Sequence, residues 1–359
     1  MKILFAVLLA GVFTACTGGH NTPGAGSAIV CDGDFLVQTP EELTAISHCE
    51  EITGQLKLQA NNVADLTALQ NLRSVGSLTL RDNPVLKNLT GLKSLQTIAG
   101  DFHIAFNPAL IDLTGLQLLT QVFGDIKIHE NNALENLDGL NTLSDVMGGL
   151  YLYQNPELRR LTIFTALSQL YDLHLADLPA LTSIAGLSTL TQIENRIECD
   201  FNHQLESVQG LHGIKTVGGD VIFNFNNGIT SFDGLQSLTE IGGRLVVNNN
   251  GGLTSLQGLN NVRTVGQRVD IRSNYQLHNL EGLTQLTHIE AELLILLNDQ
   301  LTTLQGLDNL AYIGGGVEIV ENLQLMSLSG APKLAHIGGG VEVVDNPLLP
   351  EGSLLPVKP

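Results

Sequence analysis

The side chains best suited to chemistry in this 359-residue chain recur at a fixed spacing. His103, Lys127, Tyr151 and His174 follow one another at intervals of 24, 24 and 23 residues, and His129 and Tyr153 stand two residues after Lys127 and Tyr151. Imidazole, phenol and ammonium groups set out in this way offer apolar bodies with polar tips, suited to contacts with proteins or sugars. Catalysis has a different requirement. Cleaving a glycan needs paired carboxylates, or an Arg/Lys/Asp cluster, on neighbouring repeats. No such set is concentrated in the repeated positions, and Glu318 and Glu342 recur as like charges, as a solvated surface does. Metal ligation by His103, His129 and His174 is disfavoured because they fall in different repeats without ligand spacing. Cys199 occupies an inward position with no repeated histidine beside it, the pattern of a small buried hydrophobe rather than a nucleophile. The expectation is a chain that is not an enzyme and holds no metal or cofactor.

The element that must position these groups is itself repeated. An asparagine returns at Asn83, Asn107, Asn131, Asn155, Asn202, Asn226, Asn250, Asn274, Asn298, Asn322 and Asn346, within frames such as GDFHIAFNPALIDLTGLQLLTQVFG. A unit copied at this period predicts a solenoid of about twelve coils, in which each coil packs only against its neighbours. Five and three residues before each asparagine stand apolar residues, such as Leu245 and Val247, giving the period-two pattern of a half-buried strand. After it, Leu253, Leu256, Leu259, Val262 and Val265 are spaced by three, which suits short segments separated by bends. A glycine such as Gly91, Gly115 or Gly258 recurs where the coil would turn. Equivalent residues would stack about 4.8 Å apart, so each asparagine can hydrogen-bond to backbone of its own and adjacent coils. The ladder is therefore expected to be structural. It fails once: Asn155 and Asn202 are one residue short of two periods apart, Leu178 stands where an asparagine belongs, and Ile163 replaces the turn glycine. One continuous solenoid, kinked there, is expected, with a seam between duplicated halves near 160–180 as the second reading.

Positions four and two residues before the asparagine face outward. In the first half of the chain they carry the His/Lys/Tyr set, the candidate binding surface, with an ordinary exposed strand face as the bland alternative. Further on they read Ile222, Val246, Leu294, Leu296, Val320 and Val344, with Leu297 adjacent. These form either an exposed aliphatic docking stripe or a surface covered by packing.

The N-terminus bears on location. Residues 1–15 combine Lys2 with an apolar run too short to span a bilayer, and Phe13-Thr14-Ala15-Cys16 looks like a bacterial lipobox, with a plain secretory signal as the alternative. Lipidation at Cys16 would anchor the chain to a membrane, and Thr17 favours the outer membrane or cell surface. Residues 16–28 read as a flexible Gly/Ser/Pro tether and 350–359 as a tail, leaving 29–349 for the solenoid. Cys31 and Cys49 flank a helix-like run from Thr39 to Ile46, with Thr39 as N-cap and Pro40 at the first helical position. In an exported protein they are expected to form a disulfide that clips a helix over the first coil, with two free thiols as the alternative. A net charge of −19 argues against nucleic acid and against anionic membrane surfaces as partners.

The repeat x-L-x-I-x-x-N-x-x-L-x-x-L-x-G-L-x-x-L-x-x-I-G-G, preceded by Cys31 and by the run from Cys49 to Leu56, resembles the receptor L-domain over roughly residues 31 to 349. The resemblance implies a right-handed β-helix of leucine-rich-repeat type whose sheet surface takes ligands. The chain has about twice as many coils as a receptor lobe, and no cysteine-rich module or kinase follows, so growth-factor signalling is not implied. The expected function is a non-catalytic envelope lipoprotein that binds a protein or glycan. A structural envelope protein without a discrete ligand is the alternative, followed by a β-helical polysaccharide-active enzyme.

Overall fold

A computed structural model describes residues 28–355 and Val357. Signal, lipidation and most of the tether, including Cys16, lie outside the described residues. The alternating runs form strands stacked in parallel and in register: Leu78, Phe102, Ile126, Leu150, Leu173, Ile197 and Val221 pair in succession. The same pattern continues to Val341–Val344. A second ladder of two-residue strands, from Thr97–Ile98 to His336–Ile337, lines another side of each coil. Turns and occasional single 3₁₀ turns such as Thr90–Leu92 close the rest. The result is a mainly β, parallel solenoid of about thirteen turns. One of these is hidden in the sequence: Ala60 takes the ladder place in a shorter first coil, its N–H donating to Asn83 Oδ1 at 2.9 Å.

Residues spaced by three after each asparagine all point inward. Leu253, Leu256 and Val262 are 0% exposed, and Phe102, Phe164, Phe223 and Phe232 fill the wider parts of an otherwise aliphatic core. The N-terminal end is covered by the helix Pro40–Ala45, whose Thr39 Oγ1 accepts from Glu42 N–H at 3.2 Å while Glu42 Oε2 accepts from Thr39 N–H at 3.2 Å. Such a reciprocal cap satisfies two otherwise orphan donors. Its Leu43 packs onto the core, and a Cys31–Cys49 disulfide closes the cap. A bridge of this loop length contributes roughly 3 kcal/mol in the chain-entropy model. Among the described residues no helix is long and apolar enough to cross a membrane.

The asparagines make the hydrogen bonds that their spacing predicts. Asn226 is typical: its Oδ1 accepts from Asn202 N–H at 3.1 Å, and its Nδ2 donates to the carbonyls of Cys199 (2.7 Å) and Asn224 (3.0 Å). At the break, Leu178 is fully buried and its N–H still donates to Asn202 Oδ1. Asn155 has no such acceptor at Leu178, and its Nδ2 turns to Ile128 and Tyr153 carbonyls alone. Parallel pairing nonetheless runs unbroken from Leu150–Tyr153 through Gln169–Ala176 to Gln192–Asp200, with a register shift between Leu170 and Asp172 that absorbs the missing residue.

One regular feature has no sequence mark. The residue just before each ladder position, from Asp82 to Asp345, has a left-handed backbone with φ between 51° and 58°, and none of these residues is glycine. Such a conformation is unfavourable by roughly 1–2 kcal/mol per residue. It makes the sharp corner that turns each asparagine inward and its predecessor outward.

Candidate binding face

The fold gathers the six singled-out side chains on one outward face. His103, Lys127, His129, Tyr151, Tyr153 and His174 lie on consecutive strands, Phe102–Ala105, Ile126–His129, Leu150–Tyr153 and Gln169–Ala176. They form two connected rows. In one, the rings of His103 and His129 stack with centroids 4.9 Å apart, and His129 stacks on Tyr153 at 4.4 Å and 9°. Phe106 meets His129 edge-on at 5.6 Å, and the Arg81 guanidinium lies 4.7 Å over Phe106. In the other, Lys127 Nζ sits 5.3 Å over the Tyr151 ring and 2.8 Å from Asp125. The Tyr151 hydroxyl donates to Asp172 Oδ2 at 2.7 Å, and Asn195 Nδ2 donates to Asp172 Oδ1 at 2.8 Å. His174 Nδ1 lies 3.0 Å from Glu198, which Arg196 also holds at 3.1 Å.

Sequence spacing separates the histidines into different repeats, but coil stacking brings two of them together. His103 Nε2 and His129 Nε2 are 2.8 Å apart, whereas His174 is engaged with Glu198. Arg81 and Lys127 stand beside the His103–His129 pair, each held by a carboxylate, Asp82 at 3.2 Å and Asp125 at 2.8 Å. His129 Nδ1 faces Glu130 at 3.4 Å without hydrogen-bond geometry.

This setting disfavours protonation of His103 and His129. Burial, with the nearby His129, Arg81 and Lys127, pulls His103 from its ordinary 6.5 down to about 4, and burial likewise lowers His129. Burial foremost, then the bond to Asp172, raises the Tyr151 phenol. The sign for stability follows from which state binds protons. Between pH 6.5 and about 4 the unfolded chain takes up a proton that native His103 refuses. The stability tied to His103 is thus full above pH 6.5 and lost as pH falls toward 4. Asp200 acts in the opposite sense. Burial and Glu198 raise it from 3.8 to about 6, so its contribution is present at low pH and lost as pH rises through 6. Comparing wild type with His103→Gln isolates the histidine: the wild-type denaturation midpoint should fall more between pH 6.5 and 4 than the variant's. Parallel profiles would show that His103 is not held neutral.

A small residue shapes the face. Ala176 follows Tyr153 in the outward row, and the step from ring to methyl leaves a hollow of about 440 Å³ lined by Tyr153, Gln154, His174, Ala176, Asp177 and Phe201. Phe201 is 45% exposed and stacks on Phe225 at 4.6 Å and 4°. Gln154, Asp177, Phe201 and Phe225 escape a reading based on strand alternation because they occupy the left-handed corner. Their signal in the sequence is their place immediately before the ladder position.

The aliphatic positions do not form an exposed stripe. Ile222, Val246 and Leu294 are only 6%, 6% and 8% exposed. Each is paired between flanking strands on both sides. Leu297 and Val344 remain exposed, separated from one another. Cys199 is fully buried in the core, and burial pushes its thiol well above the ordinary range, consistent with an inert packing role.

No family model matches the chain, and no curated protein matches it. Among solved structures it is similar to the crystal structure of a TLR13–ssRNA13 complex, at 18% identity and a TM-score of 0.39. That match covers 85% of this chain and 48% of the other, so the chain spans about half the length of that neighbour.

Proposed function

We propose that the chain is a non-catalytic recognition module that binds a protein or glycan partner through the face around Tyr151, Tyr153 and His174. The observation that carries this reading is the meeting, on one half-buried outward face, of the Tyr/His rows with the hollow over Ala176. Aromatic side chains of this kind add contact area at little conformational cost, and here their rings are already fixed by stacking. The receptor L-domain resemblance supports the same surface, since that module uses its sheet face for ligands. The carboxylates nearest the two rows support a binding role, because Asp172 and Glu198 are already engaged by neighbouring side chains. The lipobox-like run ending at Cys16 supports display on a bacterial envelope, at the outer membrane or cell surface.

The test is an unbiased pull-down from envelope extract with a soluble chain starting at residue 29. Tyr151→Ala and Tyr153→Ala should each abolish capture in chains that remain folded, with Tyr151→Ala costing about 1–3 kcal/mol because buried Asp172 loses a donor. Undiminished capture by both variants would remove this face from the account. Turnover of an envelope polysaccharide by the purified chain would overturn the non-catalytic reading and direct attention to Glu198 and Asp200.

A further inference from the structure

We propose that the hollow over Ala176 holds one sugar ring of an extended, neutral glycan. This rests on the recognition reading above and names the class of ligand.

Two ring walls stand on different coils, with a methyl floor between them. Tyr153 is backed by stacked His129, and Phe201 by stacked Phe225, so neither wall needs to be ordered on binding. Tyr153 and Phe201 are separated by two coil steps of about 4.8 Å each, enough for a single saturated ring to lie over Ala176 and present its C–H faces to the aromatic rings. The rim supplies what sugar hydroxyls require: the Gln154 amide can donate and accept, the Asp177 carboxylate accepts, and His174 adds an imidazole edge. An enclosed apolar pocket would favour a hydrophobic side chain; this hollow is shallow and carries polar groups along its rim.

Charge narrows the class. Asp177 lines the hollow, Asp200 and Glu198 lie on the next strand, and the chain as a whole carries −19. Uronates and phosphorylated polymers would be repelled, whereas neutral hexoses and N-acetylhexosamines would not. The face continues along the solenoid axis on both sides of the hollow, over Tyr151 and Lys127 in one direction and Phe225 in the other. A polymer can therefore run across successive coils.

The experiment is isothermal titration of the chain from residue 29 onward with three hexasaccharides: β-1,4-linked glucose, β-1,4-linked N-acetylglucosamine, and galacturonate as the anionic control. At least one neutral hexasaccharide should bind, with affinity reduced tenfold or more by Ala176→Phe, which fills the hollow, and by Phe201→Ala, which removes a wall. Thermal unfolding of both variants checks that they are folded, and Phe201→Ala decides the matter if Ala176→Phe is not. Absence of binding to both neutral probes, preference for galacturonate, or equal affinity in the folded variants would overturn the inference. If neutral glycans fail while Tyr151→Ala still abolishes partner capture, the glycan inference falls and the recognition reading stands.

Discussion

Asn226→Ala should destabilise the folded chain by about 3 kcal/mol, through the loss of buried hydrogen bonds, each unsatisfied group costing about 1–3 kcal/mol. Asn226 is fully buried at mid-solenoid. Without its side chain, Asn202 N–H loses its acceptor and the Cys199 carbonyl loses a donor, while the Asn224 carbonyl keeps the Phe201 N–H. No water can take over these roles inside a close-packed stack of coils. The same change at Asn346, in the half-exposed last coil, should cost under about 1 kcal/mol, because solvent can replace the lost partners. Urea denaturation of the two variants measures the contrast. Equal, small losses would mean that the ladder does not hold the coils in register.

Gly258→Ala should cost about 3 kcal/mol, from two causes that add. Its φ of +107° lies where L side chains are strained, and an added Cβ would overlap the Phe232 carbonyl of the preceding coil. Gly91 separates the two causes. It sits within the 3₁₀ turn Thr90–Leu92 without a positive φ, yet a Cβ there would strike the Leu66 carbonyl. Gly91→Ala should therefore be milder than Gly258→Ala by about 1–2 kcal/mol, the strain component alone. Equal losses, read from denaturation midpoints, would assign the glycine requirement to coil contact and leave no role for backbone angle.

The solenoid is legible in the sequence because its period is enforced by side chains with no substitute. Only an asparagine both accepts from the preceding coil's N–H and donates to backbone carbonyls, so Asn83 through Asn346 stand out by type. The cap is legible for the same reason, since Thr39, Pro40 and Glu42 form a reciprocal motif of fixed spacing. Ala60 hides the first coil because there the ladder needs only a backbone donor. The left-handed corner is invisible because its strain is borne by the fold and accepted by Phe, Glu, Gln, Leu and Ser alike.

For the site, alternation identifies His103, Lys127, His129, Tyr151, Tyr153 and His174, and the fold brings all six together. It does not reveal Phe201 and Asp177, whose direction is set by the corner, nor the hollow, which exists because a ring is followed by the small Ala176. Alternation alone leaves open whether Ile222 and Val246 are exposed or covered, since facing outward from a strand is not the same as being exposed; the fold covers them.

The most direct test replaces Tyr153, and in a separate variant Leu296 at the equivalent outward place six coils away, with a benzophenone amino acid that inserts into nearby C–H bonds of either proteins or sugars. After illumination in envelope extract, position 153 should yield a covalent adduct and position 296 none. An adduct from 296 alone, or none from either folded variant, would contradict the assignment of recognition to the Tyr/His face.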